Sequence, residues 1–278
     1  MVAEARDGGP AETPVPELHA DERAYFLATM GFHYRMEDGG GQGRARIDDY
    51  LAAAPGWPGI AAVLTFADVL IGVAASTRTA PRISVTSSLS VHLTGSLPPG
   101  TEIDLSCRLT KSGRTVSVGE TTVRSVADGR VIGLAVGTFQ ASPRPQDTVS
   151  ARMSEVQQIK HVVSDHPTLA DHVGLEVMEP GIAEISLRED LLNGTQSLQG
   201  GLVALLAETA AKTAASADLG RPAVVESIEV HYLAAARVGP FRAEAQAVGP
   251  GLYRVAAIDT GMEDRIVCLV AARTRPAR

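Results

Sequence analysis

The sequence predicts an α+β chain made of two copies of one unit, each an antiparallel sheet wrapped around a single long helix. Three observations predict it. The first is an internal repeat: Ser88-Leu-Ser-Val-His92-Leu lies over Ser227-Ile-Glu-Val-His231-Tyr at an offset of 139, half of the 278 residues. The apolar stretch around Asp68 repeats around Glu208 at an offset of 140, and Arg130-Val-Ile-Gly-Leu repeats as Arg265-Ile-Val-Cys-Leu at 135. Blocks in one order with small insertions mark a duplicated domain, since a solenoid would need more repeats. The second observation is alternation. Leu89, Val91 and Leu93 interleave with Ser88, Ser90 and His92, and Ile228, Val230 and Tyr232 interleave with Ser227, Glu229 and His231, the period of a half-buried strand. The third is that each half holds one long Ala/Leu-rich stretch, 58–77 and 200–217, the only element able to cover a sheet face.

The elements follow in order. Residues 1–19, rich in Pro, Gly and Glu, read as a disordered tail. The N-terminal unit takes 20–141: a leading pair of strands (30–37 with 43–50), a helix over 58–77 with Trp57-Pro58 at its start, then strands separated by Pro98-Pro-Gly100 and Asp128-Gly129. A linker and a connecting helix at about 152–171 fill 142–171. The C-terminal unit, 172–278, repeats the plan with a leading segment at 173–189, the helix 200–217, and turns at Gly249-Pro-Gly251 and Gly261.

Composition narrows the function classes. Apolar residues make up 45% of the chain with few aromatics, which suits a core of small aliphatic side chains. A net charge of −7 without a basic run argues against nucleic acid as a partner. Cys107 and Cys268 lie far apart with no metal-ligand spacing around them, which fits a reducing compartment and implies no metal cofactor. The acidic N-terminus does not read as a signal peptide. Asp68, Glu208 and Lys212 interrupt the apolar windows, so no membrane span is expected and the expected location is cytoplasmic.

The stretch richest in chemistry is Asn193-Gly-Thr-Gln-Ser-Leu-Gln-Gly-Gly201, which runs into a helix carrying Glu208. Free N–H groups at a helix start favour negative charge on an oxygen held there, and glycine lets that oxygen come close. Glu208 follows Gly200 by eight residues, about 12 Å of helix. Two readings of it stand side by side: an exposed i, i+4 ion pair with Lys212, and a buried carboxylate of raised pKa with a functional role.

The Asn-to-Gly-Gly loop followed by Leu-Ala-Glu208 resembles the PaaI-like branch of the hotdog-fold acyl-CoA thioesterases, and the duplication makes the chain similar to their tandem, double-hotdog form. One departure is Gln199, where that branch usually has His. The resemblance implies hydrolysis of an acyl-CoA, with Glu208 as general base or nucleophile, Gly200 N–H polarising the carbonyl beside Gln199 and Gly201, and Asn193 orienting water or carboxylate. It also implies a hydroxyl from the other half. Ser84 takes that place, and its repeat partner is Ala223, so one working site (Glu208 with Ser84) and one degenerate site (Asp68 with Ala223) are expected. Lys111, Arg114 and Arg254 are the candidates for the coenzyme A phosphates. Coenzyme A enters as substrate, no cofactor is implied, and a homodimer of double-hotdog chains is expected. His92 and His231 read as structural sheet residues. A non-catalytic acyl-CoA or fatty-acyl binding protein and a hotdog enoyl-CoA hydratase remain as alternatives.

Overall fold

The computed structural model describes residues 26–54, 56–97, 100–143, 163–193 and 195–277. In the first half a short helix α1 (Phe26–Thr29) precedes β1 (His33–Glu37), β2 (Gly40–Ile47), β3 (Ala52–Ala54), β4 (Trp57–Pro58), the helix α2 (Ile60–Thr79), and strands β5 (Ser84–Leu93), β6 (Thr101–Ser112), β7 (Val116–Ser125) and β8 (Val131–Ala141). The second half runs α3 (Leu169–Val173), β9 (Leu175–Glu179), β10 (Ile182–Ile185), a single 3-10 turn (Glu189–Leu191), α4 (Gly200–Leu219), β11 (Ala223–Tyr232), β12 (Phe241–Gly249), β13 (Leu252–Asp259) and β14 (Arg265–Pro276). The expected tail at 1–19 and residues 152–162 of the expected connecting helix lie outside the described residues; of the rest of that helix, only α3 is helical.

The halves do not keep two separate sheets. They form one twelve-stranded antiparallel sheet in the order β1-β2-β6-β7-β8-β5-β11-β14-β13-β12-β10-β9. The joint is β5 against β11, with Val91 opposite Ile228 and Leu89 opposite Val230. The period of two explains the joint: all four of these side chains are buried, so the inward faces of the copies meet as one apolar surface. The polar residues face out, where His92 Nδ1 lies 2.6 Å from Ser227 Oγ and His231 pairs with Glu229 at 3.2 Å. The two histidines are therefore exposed sheet residues, as their spacing suggested.

Two helices lie side by side under this sheet, and one core runs through both halves. By length and hydropathy α2 could cross a bilayer despite Asp68, a correction to the reading from composition. Its residues from Ile60 to Ala67 are all buried because it is enclosed by the sheet and α4. Trp57-Pro58 is a short strand paired with β3 rather than a first helical turn. Trp57 is buried, and the Arg275 guanidinium of the second half lies 4.0 Å from its ring centre. The leading segment at 173–189 is likewise divided, into α3, β9, β10 and the start of the 3-10 turn.

Candidate active site

The start of α4 is built by the loop expected to carry chemistry. Asn193 Oδ1 accepts from the backbone N–H of Thr195 at 2.8 Å and from the hydroxyls of Thr195 and Ser197 at 2.7 and 3.1 Å, an arrangement that folds the loop back on itself. Gln199 is the N-cap, its Oε1 accepting from Gly201 N–H at 2.5 Å. Gly200 N–H donates to no group among the described residues, so one helix-start donor is left over.

Close approach requires glycine at 201 and makes position 200 tight. A Cβ on Gly201 would lie 1.9 Å from Thr65 Oγ1 of α2, and one on Gly200 would lie 3.2 Å from the Tyr232 hydroxyl. That hydroxyl donates to Gly200 O at 3.0 Å. Burial, and then the charge of Asp68, raise the Tyr232 pKa well above its ordinary value, which keeps the phenol neutral and puts Asp68 in its surroundings. Asp68 lies one helical turn past Thr65. Its Oδ1 accepts from the Thr86 hydroxyl at 2.6 Å, and burial pushes its pKa up to about 6 against the opposing effect of that bond. Gly201 and Tyr232 of the second half thus come near Thr65 and Asp68 of the first.

The structure does not bring Glu208 to Gly200. The Glu208 carboxylate is 2% exposed and crosses to the start of α2, where Oε1 accepts from Ile60 N–H at 3.1 Å and Oε2 from Ala61 N–H at 2.9 Å. The N-cap of α2 is Gly59, which has no side chain to cap with, and Glu208 does that work from the other half. Burial raises its pKa; the Lys212 charge and the two N–H bonds oppose the shift. Of the two readings of Glu208, the buried one holds, but its partner is a helix start 147 residues away.

Ser84 does not join Glu208 either. It follows the far end of α2, a helix of 20 residues and so roughly 30 Å long. Its Oγ lies 3.1 Å from Thr79 Oγ1, and its N–H donates to Ser76 Oγ at 3.0 Å. Ala223 N–H makes the same bond to Ser216 Oγ at 3.0 Å. The bond shared at that position is made by the backbone N–H in both halves. A difference that does touch a helical carboxylate is Thr86 against Val225. Thr86 faces Phe139 across the sheet, and Val225 occupies the matching register opposite Thr274, leaving Glu208 with no strand hydroxyl of this kind. Tyr232 against Leu93 is a second difference of this kind. Sequence reasoning missed Thr65, Thr86 and Tyr232; a comparison of the copies carried through Val225 and Leu93 would have found the last two.

Lys111 is exposed near the end of β6, Arg114 is exposed in the turn to β7, and Arg254 is exposed on β13. Among the described residues none of these three side chains hydrogen-bonds to Asp68, Thr86, Gly200 or Tyr232.

Comparison with known proteins agrees with this architecture. Residues 56–140 match the family described as acyl-CoA thioesterase N-terminal domain, and residues 196–249 match the thioesterase superfamily. Among solved structures, the tesB protein of Mycobacterium avium subsp. paratuberculosis aligns over 91% of this chain and 98% of its own, with 14% identity and a TM-score of 0.60. The 12:0-ACP thioesterase of Umbellularia californica aligns over 87% and 100%, with 14% identity and a TM-score of 0.58. An acyl-ACP thioesterase from Bacteroides thetaiotaomicron aligns over 86% and 100%, with 12% identity and a TM-score of 0.56. At these identities the structural likeness is one of fold. A sequence search of curated proteins gave no match. With two thioesterase-family domains in tandem under one continuous sheet, the chain belongs to the thioesterase superfamily as a double-hotdog thioester hydrolase.

Proposed function

We propose that the chain hydrolyses acyl-coenzyme A thioesters at the composite site between α2 and the start of α4, with Asp68 in the role that the sequence suggested for Glu208. One observation carries this reading: Asp68, held by the Thr86 hydroxyl at 2.6 Å, lies in the surroundings of Tyr232, whose hydroxyl bonds the Gly200 carbonyl at the helix start, whereas the Glu208 oxygens are both engaged. In the proposed reaction the thioester carbonyl oxygen accepts from Gly200 N–H, where the helix start stabilises the developing oxyanion. Asp68 draws a proton from water as the water oxygen bonds to the carbonyl carbon. The carbon–sulfur bond then breaks, the coenzyme A thiolate takes up a proton, and the carboxylic acid leaves. Thr86 orients the carboxylate, and Tyr232 fixes the Gly200 peptide through its carbonyl.

The test is release of free thiol from a panel of acyl-CoAs, with the same acyl groups on acyl carrier protein as the comparison. Asp68→Ala should lower kcat by about 10²–10⁴, the range for loss of a general base. Glu208→Ala, measured where it remains folded, should keep most of its turnover. Loss of turnover in Glu208→Ala with retention in Asp68→Ala would overturn the assignment.

A further inference from the structure

A cavity of about 490 Å³ lies along the last turns of α4, lined by residues of both halves. Its walls include Ala53 of β3, Val177, Pro180, Ala217 and Ala223, and Lys212 is the one titratable residue lining it. The size falls within the range of small-molecule sites. Lys212 lies twelve residues beyond Gly200, about 18 Å along the helix, so the cavity is distinct from the Asp68 site.

Among the described residues, the hydroxyls in this cavity are satisfied and the Lys212 ammonium keeps spare donors. Thr213 Oγ1 donates back to Thr209 O at 2.9 Å and accepts from Gly181 N–H at 3.1 Å. Ser216 Oγ donates to Lys212 O at 2.7 Å and accepts from Ala223 N–H at 3.0 Å. Both hydroxyls are therefore satisfied by the protein. The Lys212 ammonium has three donors and makes one long bond, 3.4 Å to Ala53 O. Glu208, one turn earlier on α4, has its oxygens on Ile60 and Ala61 N–H. What remains is a half-buried cation against small apolar walls.

The first copy differs at this turn of its helix. At the turn of α2 that repeats Lys212 stands Gly72, and Phe139 packs so closely that a Cβ there would lie 3.1 Å from its ring. In the second copy the strand register puts Thr274 where the first has Phe139. Glycine has become lysine, and a large aromatic has become a small residue. The first of these differences places the positive charge on the cavity wall.

We propose that this cavity is a second ligand site, for a molecule with a carboxylate head and an apolar chain, the head on Lys212 and the chain between β3 and the β9–β10 turn. An anion is selected because the Lys212 ammonium, which shares its charge with buried Glu208 one turn back but makes a single long hydrogen bond itself, favours a negative head over a neutral one among apolar walls. The proposal does not depend on which residue cleaves a thioester.

The experiment is titration calorimetry of the full chain carrying Asp68→Asn, with decanoate as ligand and decanol as the neutral control. Decanoate should bind one per chain. Lys212→Met should weaken it by tenfold or more with decanol unaffected, Lys212→Arg should restore it, and Ala217→Phe, at an exposed wall position, should block both ligands. Saturating decanoyl-CoA should leave decanoate binding in place. Absence of decanoate binding, equal affinity in Lys212→Met and the parent, or complete displacement by decanoyl-CoA would overturn the proposal. Thermal melts of the Lys212 and Ala217 variants separate loss of binding from loss of fold.

Discussion

Glu208 Oε2 accepts the backbone N–H of Ala61 at 2.9 Å, so a carboxylate in the middle of the second helix caps the start of the first. The neighbouring oxygen does the same for Ile60. The bonds join the two copies through their helices, as β5 and β11 join them through the sheet. Glu208→Ala leaves two buried N–H groups without an acceptor, which costs about 1–3 kcal/mol for an unsatisfied buried group. For a chain of this size, each kcal/mol lowers Tm by about 2–4 °C. Calorimetry should show a clear drop for Glu208→Ala and a smaller one for Glu208→Gln, which keeps one accepting oxygen.

Asp68 sets a pH dependence of known sign. Burial, moderated by the Thr86 bond, raises its pKa from 3.8 to about 6. A general base must be ionised, so kcat/KM should climb with pH through about 6 and then level off. The folded chain also holds this proton more tightly than the unfolded chain does. The group therefore removes stability as pH rises between about 4 and 6. Asp68→Asn lacks that loss, so its Tm relative to the parent should improve from pH 4 to pH 7.

Thr86→Val removes the hydroxyl that donates to Asp68 and copies what the second half has at Val225. The bond lowers the Asp68 pKa, so its loss should move the acid limb of kcat/KM to higher pH. Thr86→Ser should restore the limb, and a purely structural role for Thr86 would leave it where it was.

Gly201→Ala puts a methyl group 1.9 Å from Thr65 Oγ1 of α2. Overpacking of this kind costs typically about 1–3 kcal/mol. Thr65→Ala should rescue part of the loss, so the double variant should melt above Gly201→Ala alone. Additive losses in the two variants would mean that the contact is not the cause.

Much of the fold was legible because its signals are local. The alternation of Leu89, Val91 and Ile228, Val230 gives strands, the Ala/Leu stretches give the helices, and the offset near 139 makes the second half a copy of the first. The fusion into one sheet was not legible, since the edge on which β5 meets β11 is set by backbone pairing, and Ser88-to-Leu93 reads the same at an edge or a centre. The site was half legible. Asn193, Gln199, Gly200 and Gly201 do build the helix start, because glycines and a capping side chain before an apolar run act within a few residues.

By itself the sequence determined that two like units exist, that each carries one helical carboxylate, and that one unit opens its helix with Gly-Gly. Only the tertiary structure decided which carboxylate meets which helix start. Eight residues of rigid helix hold Glu208 about 12 Å away from Gly200. The pairing of the copies then brings each carboxylate to the other copy: Glu208 onto Ile60 and Ala61, Asp68 into the surroundings of Tyr232. Nothing within a helix could show this, because the distance that separates the groups along one chain segment is closed only by packing a second segment against it.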